Sequence, residues 1–263
     1  MISALPKEDS ATPAAPATPT AAVTAPASTD HPGPTEWGEG RHGVGPWAEE
    51  HPGEPLPTDE RFDPELLAQG DRRNVVDRYR YWKRSAIVAD LDKRRHVFHV
   101  AIENFEHDAN IGTIVRTANA FLAQAVHIVG KRRWNRRGAM VTDRYLHVHH
   151  HPDVASLVDH CRAQGLTMIG VDNLPGAVPL EGVRLPERCC LVFGSEGGGL
   201  TDELADACAM LVSITQYGST RSINAGAAAA IAMYHWALQH AGGGDGGVSD
   251  PTGRPTGGSG RSR

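Results

Sequence analysis

The side chains best suited to carry chemistry are concentrated in one stretch, Leu191 to Gln239. An apolar run, Cys189–Phe193, leads into a turn that holds one acid, Glu196, among glycines. A polar loop further on precedes Ser222-x-Asn224, which opens a long alanine-rich run. Loops at the carboxyl ends of strands form the ligand crevice of α/β proteins, and successive glycines let a ligand approach the backbone. We therefore predict a cofactor pocket at these two loops.

Strands and helices alternate along the part of the chain that must position this pocket. The apolar runs that predict strands are Val97–Glu103, Val126–Gly130, Leu166–Asp172, Cys189–Phe193 and Met210–Ile214. The segments that predict helices begin after Asn110, at Pro152, at about Leu200 and after Asn224. This alternation predicts an α/β fold, with a parallel sheet that carries helices on both faces.

Composition divides the chain into four parts. Residues 1–60 are rich in Ala, Pro, Thr and Glu, and we expect a disordered acidic tail there. Residues 61–96 are expected to form a basic helical extension of one or two helices, with Asp63-Pro64 at its start. Residues 97–240 are expected to fold as one domain, and the glycine-rich residues 241–263 as a disordered tail.

The charge of the chain is unevenly distributed. Residues 1–71 carry 3 Lys and Arg against 13 Asp and Glu, whereas residues 72–144 carry 16 against 7. A basic segment beside an acidic or neutral body indicates a polyanion partner, and nucleic acid is the leading candidate. Solvated surface charge is the alternative. The basic residues proposed to contact RNA are Arg72, Arg73, Lys83, Arg84, Arg94, Arg95, Arg132, Arg133, Arg136 and Arg137.

Several common classes of protein are disfavoured. The turn GSEGGGL follows a late strand and does not fit a nicotinamide-binding GxGxxG, and neither a P-loop nor a GxSxG elbow is present. The four cysteines form no CxxC pair, which argues against a zinc site or a disulfide framework. No apolar run is long enough for a signal peptide or a membrane helix, so we expect a cytoplasmic protein without membrane contact.

The histidine-rich run 147–151 invites a metal interpretation. Without nearby cysteine or a matching carboxylate pattern, we expect no metal there. A partly exposed loop near the nucleic-acid path is the expected structure.

Three motifs together resemble a known family, the SpoU/TrmH branch of the SPOUT RNA methyltransferases. Asn110–Ala118 (NIGTIVRTA) resembles the first motif of the family and Phe193–Leu200 (FGSEGGGL) resembles the second. Ile214–Gly218, followed by Ser222-Ile223-Asn224 and the alanine-rich helix, resembles the third. The resemblance spans about residues 97–240. Three motifs in the right order and spacing are far more specific than one.

The resemblance implies a fold, a cofactor and a quaternary structure. It implies that the carboxy-terminal segment of the sheet domain forms a deep trefoil knot, which residue patterns alone do not predict. It also implies a homodimer that binds S-adenosyl-L-methionine in the knot. The residues that it assigns to the cofactor are Gly194, Glu196, Leu200, Ile214, Ile223 and Asn224, and those that it assigns to catalysis are Arg116, Asn110, Glu196, Ser222 and Asn224.

The implied reaction is methylation of a ribose 2′-hydroxyl in tRNA or rRNA. Arg116 stays protonated in almost any protein setting, so binding a phosphate and stabilising oxyanion charge suit it better than acting as a general base. Asn110 could position Arg116 or the ribose, or simply cap a helix, and Ser222 and Asn224 could likewise be caps. Leu122 departs from the family pattern, which frequently has glycine there.

Two other functions remain open at this point. One is a non-catalytic RNA-binding protein that keeps the fold. The other is a related enzyme that methylates a base nitrogen, against which the Ser222-x-Asn224 pair argues.

Overall fold

Seven parallel strands form one sheet at the centre of the protein. The computed structural model describes residues 43–104, 110–195 and 197–241. The strands are β1 His99–Asn104, β2 Ala125–Gly130, β3 Val148–His151, β4 Thr167–Val171, β5 Val178–Pro179, β6 Cys189–Phe193 and β7 Met210–Ser213. Their order across the sheet is β3-β2-β1-β6-β4-β7-β5, and every neighbouring pair is parallel.

Seven α-helices accompany these strands in the described ranges. They are α1 Trp47–Glu50, α2 Pro64–Gln69, α3 Arg84–Asp92, α4 Asn110–Ala120, α5 Val154–Ala163, α6 Asp202–Ala207 and α7 Ala225–His240. Of these described helices, none combines the length and apolar character needed to span a bilayer. Asp63 caps α2 by accepting a hydrogen bond from the Glu65 N–H, and Pro64 occupies the first turn, as the sequence predicts.

Helices cover both faces of the sheet, as expected for parallel strands. On one face, α4 and α7 pack their buried side chains against the sheet, and Trp236 of α7 lies 4.4 Å from the ring of Phe98. On the other face, α5 and α6 pack against residues such as Ala101 and Val192. Because both faces are covered, every residue of β1 and of β6 is buried. The predicted fold class is therefore confirmed.

The five predicted strands are present with bounds shifted by one or two residues, and the structure adds β3 and β5. The expectation of a loop at the histidine-rich run is wrong. Val148–His151 pair in parallel with β2, and His151 is buried while the preceding three residues are exposed. A four-residue edge strand made of one valine and three histidines lacks the apolar alternation by which strands are predicted.

The segment before β1 contains two short helices, in agreement with the expected one or two. Only α2 and α3 are α-helical between residues 61 and 96, and a single 3-10 turn, Asp77–Tyr79, lies between them. Residues 43–60, which were expected to belong to a disordered tail, also have a described structure, whereas the rest of that tail lies outside the described residues. Val44 pairs with Asp71 through two backbone hydrogen bonds, and the Tyr81 hydroxyl donates to the Gly45 carbonyl at 2.7 Å. The ring centroid of Trp47 lies 5.6 Å from that of Tyr81, so aromatic contacts also stabilise this segment.

A buried carboxylate holds this segment together. The side chain of Asp71 is fully buried and accepts hydrogen bonds from Nε and Nη2 of Arg73, at 2.8 and 2.6 Å. It also accepts from the backbone N–H groups of Arg73 and Tyr81, both at 3.0 Å. Burial acts to raise the pKa of Asp71, but these hydrogen bonds outweigh burial and lower it.

Replacing Asp71 should therefore destabilise the protein in a pH-dependent way. We expect Asp71→Asn to lower the free energy of unfolding at neutral pH by about 3 kcal/mol, because it leaves a partly buried guanidinium and two N–H donors without their charged acceptor. The contribution of the carboxylate is present above the unfolded pKa, about 3.9, and is lost as pH falls through the lower folded pKa. Urea unfolding at several pH values measures this difference.

Asp77→Asn is the matched control. The side chain of Asp77 is 93% exposed and lies 3.6 Å from Arg80, so this change should have little effect. A difference between wild type and Asp71→Asn that persists unchanged well below pH 4 would contradict the assignment.

Candidate functional site

A polar cleft of about 540 Å³ lies at the carboxyl ends of three adjacent strands, β6, β4 and β7. The loops that follow these strands and the start of α7 supply its walls. The lining residues are Val171–Leu174, Phe193–Ser195, Gly197–Gly199, Ile214, Gln216, Ser222–Ala225 and Ala228. The two loops that the sequence predicted to form a pocket therefore meet in one cleft.

Glycines shape the turn after β6. Ser195 and Gly199 exchange two backbone hydrogen bonds, Ser195 N–H to the Gly199 carbonyl at 3.0 Å and the reverse at 2.9 Å. A Cβ at Gly194 would overlap the backbone of Gly199 and Leu200, so only glycine permits this closure. Glu196, at the centre of the turn, lies outside the described residues.

Asp172, at the end of β4, fixes the far side of this turn. Its carboxylate accepts from the Leu200 N–H at 2.8 Å and from the Asn173 N–H at 2.7 Å. Asn173 in turn donates through Nδ2 to the Arg221 carbonyl at 3.1 Å. Asp172 and Asn173 together thus connect the second motif to the loop that precedes Ser222. Asp172 is not part of any of the three motifs, and the only feature of the sequence that points to it is its position at the end of a predicted strand.

Glu103 anchors the helix that follows the turn. This acid at the end of β1 is buried, and it accepts from both the N–H and the hydroxyl of Thr201, at 2.9 and 2.6 Å. Thr201 caps α6. Burial raises the pKa of Glu103, and the hydrogen bonds from Thr201 oppose that rise. The carboxyl group therefore holds the start of α6 against the sheet.

An amide–amide contact joins the first and third motifs. Asn224 Nδ2 donates to Asn110 Oδ1 at 2.8 Å, and Asn224 Oδ1 accepts from the N–H groups of Gly226 and Ala227. Asn224 is thus the cap of α7 and a contact to α4 at the same time. Asn110 is itself helical, so it is not a cap that precedes α4, and residues 105–109 lie outside the described residues.

Most of the residues predicted to bind the cofactor line the cleft. Gly194, Ile214, Ile223 and Asn224 are lining residues, and so is Ser222. Leu200 is buried behind the cleft, where its side chain belongs to the α6 side of the core.

Arg116 lies in a second, larger cavity of about 1060 Å³. The cavity is formed by α2, the segment after it, α4 and the loop after β2. Six arginines and seven other residues line it: Arg72, Arg73, Arg116, Arg136, Arg137 and Arg144, with Leu66, Gln69, Gly70, Asn74, Met140, Val141 and Tyr145. We call it the basic cavity. The structure therefore separates Arg116 from the cleft lining and places it among other cations.

A close backbone approach brings the loop after β2 to α4. A Cβ at Gly112 would lie 2.8 Å from Gly138 N and 2.7 Å from Ala139 N. Two glycines facing each other therefore allow this contact, which places Arg136 and Arg137 in the same cavity as Arg116. The loop is also held by Asn104, whose Nδ2 donates to the Lys131 and Arg133 carbonyls at 2.6 and 2.9 Å.

Two residues that line the basic cavity, Met140 and Val141, have a strained backbone conformation. Met140 and Val141 have φ angles of 48° and 70°, in the left-handed region that a β-branched side chain avoids. Both side chains are about half exposed, at 54% and 50%. Strained backbone that the surrounding fold maintains is characteristic of functional sites, and here it coincides with the arginine cluster.

The ten predicted RNA-contacting residues fall into two groups. Arg95 is buried and donates to the Asp92 carboxylate at 2.6 Å and to the Tyr145 carbonyl at 2.7 Å, and Arg73 is held by Asp71. We remove these two from the set, because their side chains are buried or half-buried against acceptors within the fold. Arg94 also pairs with Asp90, but its side chain is 42% exposed. The exposed members are Arg72, Lys83, Arg84, Arg94, Arg132, Arg133, Arg136 and Arg137.

The two roles of Asn224 can be separated by substitution. Asn224→Ala should lower the free energy of unfolding by about 2 kcal/mol, since it removes both the cap of α7 and the bond to Asn110. Asn224→Ser should recover about half, because serine caps as well as asparagine but is too short to reach Asn110. Denaturant unfolding measures both. Equal losses for the two variants would contradict a capping contribution.

Comparison with known proteins gives a consistent result. A tRNA (guanosine(18)-2'-O)-methyltransferase of Borreliella burgdorferi is 24% identical over 155 residues, 58% of this chain and 71% of that protein. A 23S rRNA (guanosine(2553)-2'-O)-methyltransferase of Bacillus subtilis is 29% identical over 139 residues, 51% of this chain and 55% of that protein. The crystal structure of the SpoU methyltransferase AviRb from Streptomyces viridochromogenes in complex with the cofactor AdoMet superposes with a TM-score of 0.51 at 26% identity, covering 59% of this chain and 65% of that one.

The family model described as the SpoU rRNA Methylase family matches residues 97–234, just over half of the chain. That range contains all three motifs, the sheet and the cleft. The chain therefore belongs to the SpoU methylase family.

Proposed function

We propose that this protein is an S-adenosyl-L-methionine-dependent RNA methyltransferase that methylates a ribose 2′-hydroxyl in tRNA or rRNA. The observation that carries the proposal is the meeting of the second and third motif segments in one cleft, at the carboxyl ends of β4, β6 and β7. Loops at this edge of a parallel sheet are where α/β proteins bind nucleotides.

The cleft suits the cofactor in size and chemistry. Its volume falls within the range typical of small-molecule sites, and its walls combine aliphatic side chains with glycine backbone. Ile214 and Ile223 provide apolar surface for an adenine ring, while the Gly197–Gly199 backbone presents polar groups without side chains in the way. Glu196 and Ser222 complete the proposed set, with Glu196 assigned from the sequence motif alone.

When bound, S-adenosyl-L-methionine supplies a methyl group that is already activated by its sulfonium charge. The protein must therefore align a ribose oxygen with that methyl and accommodate the charge that develops on the oxygen. The contact between Asn110 and Asn224 fixes α4 relative to the cleft, and so positions the helix that carries Arg116. Arg116 then binds the RNA phosphate beside the target ribose, since a guanidinium is a poor general base.

The basic cavity is the proposed binding surface for the RNA backbone. It borders α4, the helix that Asn110 connects to the cleft, and its guanidinium groups are suited to bidentate phosphate contacts. Arg136 lies 5.3 Å from the ring centroid of Trp134, an arrangement that holds the guanidinium in place. Because these contacts are to phosphates and shape, they favour a structured RNA.

A second copy of this chain is the proposed partner of α7. Ile231, Tyr234 and Leu238 are spaced along one side of α7, and all three are exposed, at 42%, 54% and 64%. An exposed apolar stripe on a helix indicates an interaction surface, and it fits the homodimer that the family resemblance implies. The trefoil knot that the family resemblance implies belongs to the same proposal. So does the cytoplasmic location that we expect from the sequence.

Arg116→Ala tests the proposed reaction. We expect methyl transfer from radiolabelled S-adenosyl-L-methionine to fall at least 100-fold, because the variant can no longer stabilise the charge of the transition state. Affinity for the cofactor, measured by calorimetry, should stay within about twofold, as Arg116 does not line the cleft. Substrates are total tRNA and rRNA from a strain that lacks the gene, and nucleoside digestion locates the methyl group.

Arg162→Ala is the control, because Arg162 is 75% exposed on α5 and pairs only with Asp159 among the described residues. A labelled methyl group found on a base would show that the protein methylates a base nitrogen and not a ribose hydroxyl. Absent transfer by the intact protein, with RNA binding retained, would replace it with a non-catalytic RNA-binding protein.

The basic cavity gives a separate prediction about affinity. The double variant Arg136→Gln/Arg137→Gln should weaken RNA binding and reduce the slope of log affinity against log salt by about 1.4 to 1.8. This is roughly 0.7 for each phosphate of a single strand, or 0.9 for each phosphate of a duplex, that is no longer neutralised. Fluorescence anisotropy at several salt concentrations measures the slope. An unchanged slope, or an equal change in Arg162→Gln, would place RNA elsewhere on the protein.

A further inference from the structure

Five histidines lie together on the face of the sheet that α5 covers. His99 is on β1, His127 on β2, His149 and His151 on β3, and His160 on α5. His127 pairs in register with His149, and alternate residues of a strand share a face, so the strand histidines point the same way. We call them the histidine cluster. None of its members lines the cleft or the basic cavity.

A chain of hydrogen bonds orders most of this cluster. His99 Nδ1 lies 2.9 Å from His127 Nε2, and His127 Nδ1 lies 2.9 Å from His151 Nε2. His151 Nδ1 lies 3.2 Å from Ser156 Oγ. If His151 donates to Ser156 and His127 donates to His151, the Nε2 lone pair of His127 points at His99. Partners of this kind orient metal-binding histidines in proteins.

His160 has an unused ring nitrogen at the same place. Its Nε2 is buried and has no hydrogen-bond partner among the described residues. Its ring centroid lies 4.7 Å from that of His127 and 5.8 Å from that of His149. Burying a polar atom without a hydrogen-bond partner costs free energy. A group that binds the lone pair of this nitrogen, or that accepts a hydrogen bond from its N–H, would remove that cost.

We propose that His99, His127 and His160 bind one divalent transition-metal ion, with zinc the ion that fits best. One ring nitrogen from each lies within 4.8 Å of the others. Three nitrogens at 2.0–2.1 Å from a tetrahedral zinc are about 3.3 Å apart, so small side-chain adjustments suffice. A donor set of imidazoles alone favours zinc and its transition-metal neighbours over magnesium or calcium.

The fourth ligand position faces the exposed edge of the cluster. His149 is exposed there, with its ring 5.3 Å from that of His127, so His149 or water completes the coordination. The ion ties β1, β2 and α5 together at a distance in the fold from the cofactor loops. Its role is structural, and the proposal is independent of the proposed methyl transfer.

The test is metal binding by the full-length protein freed of metal with a chelator. We expect one equivalent of Co²⁺ to bind and give the intense visible absorption of a four-coordinate ion, and Zn²⁺ to displace it. Zn²⁺ should also raise the unfolding temperature by mass action. His160 is half-buried on α5. His160→Gln should weaken Co²⁺ binding at least tenfold while leaving the circular dichroism spectrum and cofactor binding unchanged.

His127→Gln should have a larger effect than His160→Gln, and His150→Gln is the matched control. His150 is on the same strand as His149 and His151 but is exposed, and its Nε2 contacts the Gly130 carbonyl instead of the cluster. Unchanged Co²⁺ affinity in His150→Gln together with the loss in His160→Gln supports the site. No stoichiometric Co²⁺ binding, or equal weakening in all three variants, would overturn it and leave the cluster as a hydrogen-bonded network.

Discussion

Burial of a parallel sheet on both of its faces governs the arrangement of this protein. With α4 and α7 on one side and α5 and α6 on the other, the central strands β1 and β6 have no solvent-exposed residue. The polar groups of the cleft therefore collect where strands end, and parallel strands end together. Glu103, Asp172 and the turn after β6 are found at this edge for that reason, and each uses its hydrogen bonds to fix a neighbouring loop.

Backbone proximity determines how the two cavities are arranged. Gly194 closes the cofactor turn against Gly199, and Gly112 lets the arginine-rich loop approach α4 through Gly138. In both places a single methyl group would separate the segments. The amide contact between Asn110 and Asn224 then connects the helix that borders the basic cavity to the helix that borders the cleft. The proposed RNA-binding surface and the proposed cofactor cleft are therefore linked through α4.

The histidines and arginines of this chain have different roles at different positions in the fold. In the sequence, Arg95 and Arg73 cannot be distinguished from the arginines near them. In the structure their guanidinium groups stabilise the fold, because Arg95 binds the Tyr145 carbonyl and Arg73 binds the Asp71 carboxylate. His127 lies alone in a predicted strand, yet it is the centre of a five-membered cluster. The strained backbone at Leu122, with a φ of 54°, similarly explains why the family frequently has glycine there.

Local patterns in the sequence were sufficient to predict the α/β class, the five main strands, the cap at Asp63 and the two loops that form the cleft, and they offered Asn224 as one possible cap. Apolar periodicity, capping chemistry and motif spacing act over a few residues, which is why they can be read without a structure. Tertiary contacts were needed to find that Asp172 holds the turn of the second motif, that Arg116 joins the basic cavity, and that β3 is a strand. They were also needed to bring His99, His127 and His160 together. Each of these features depends on residues far apart in the chain, and no local pattern records such contacts.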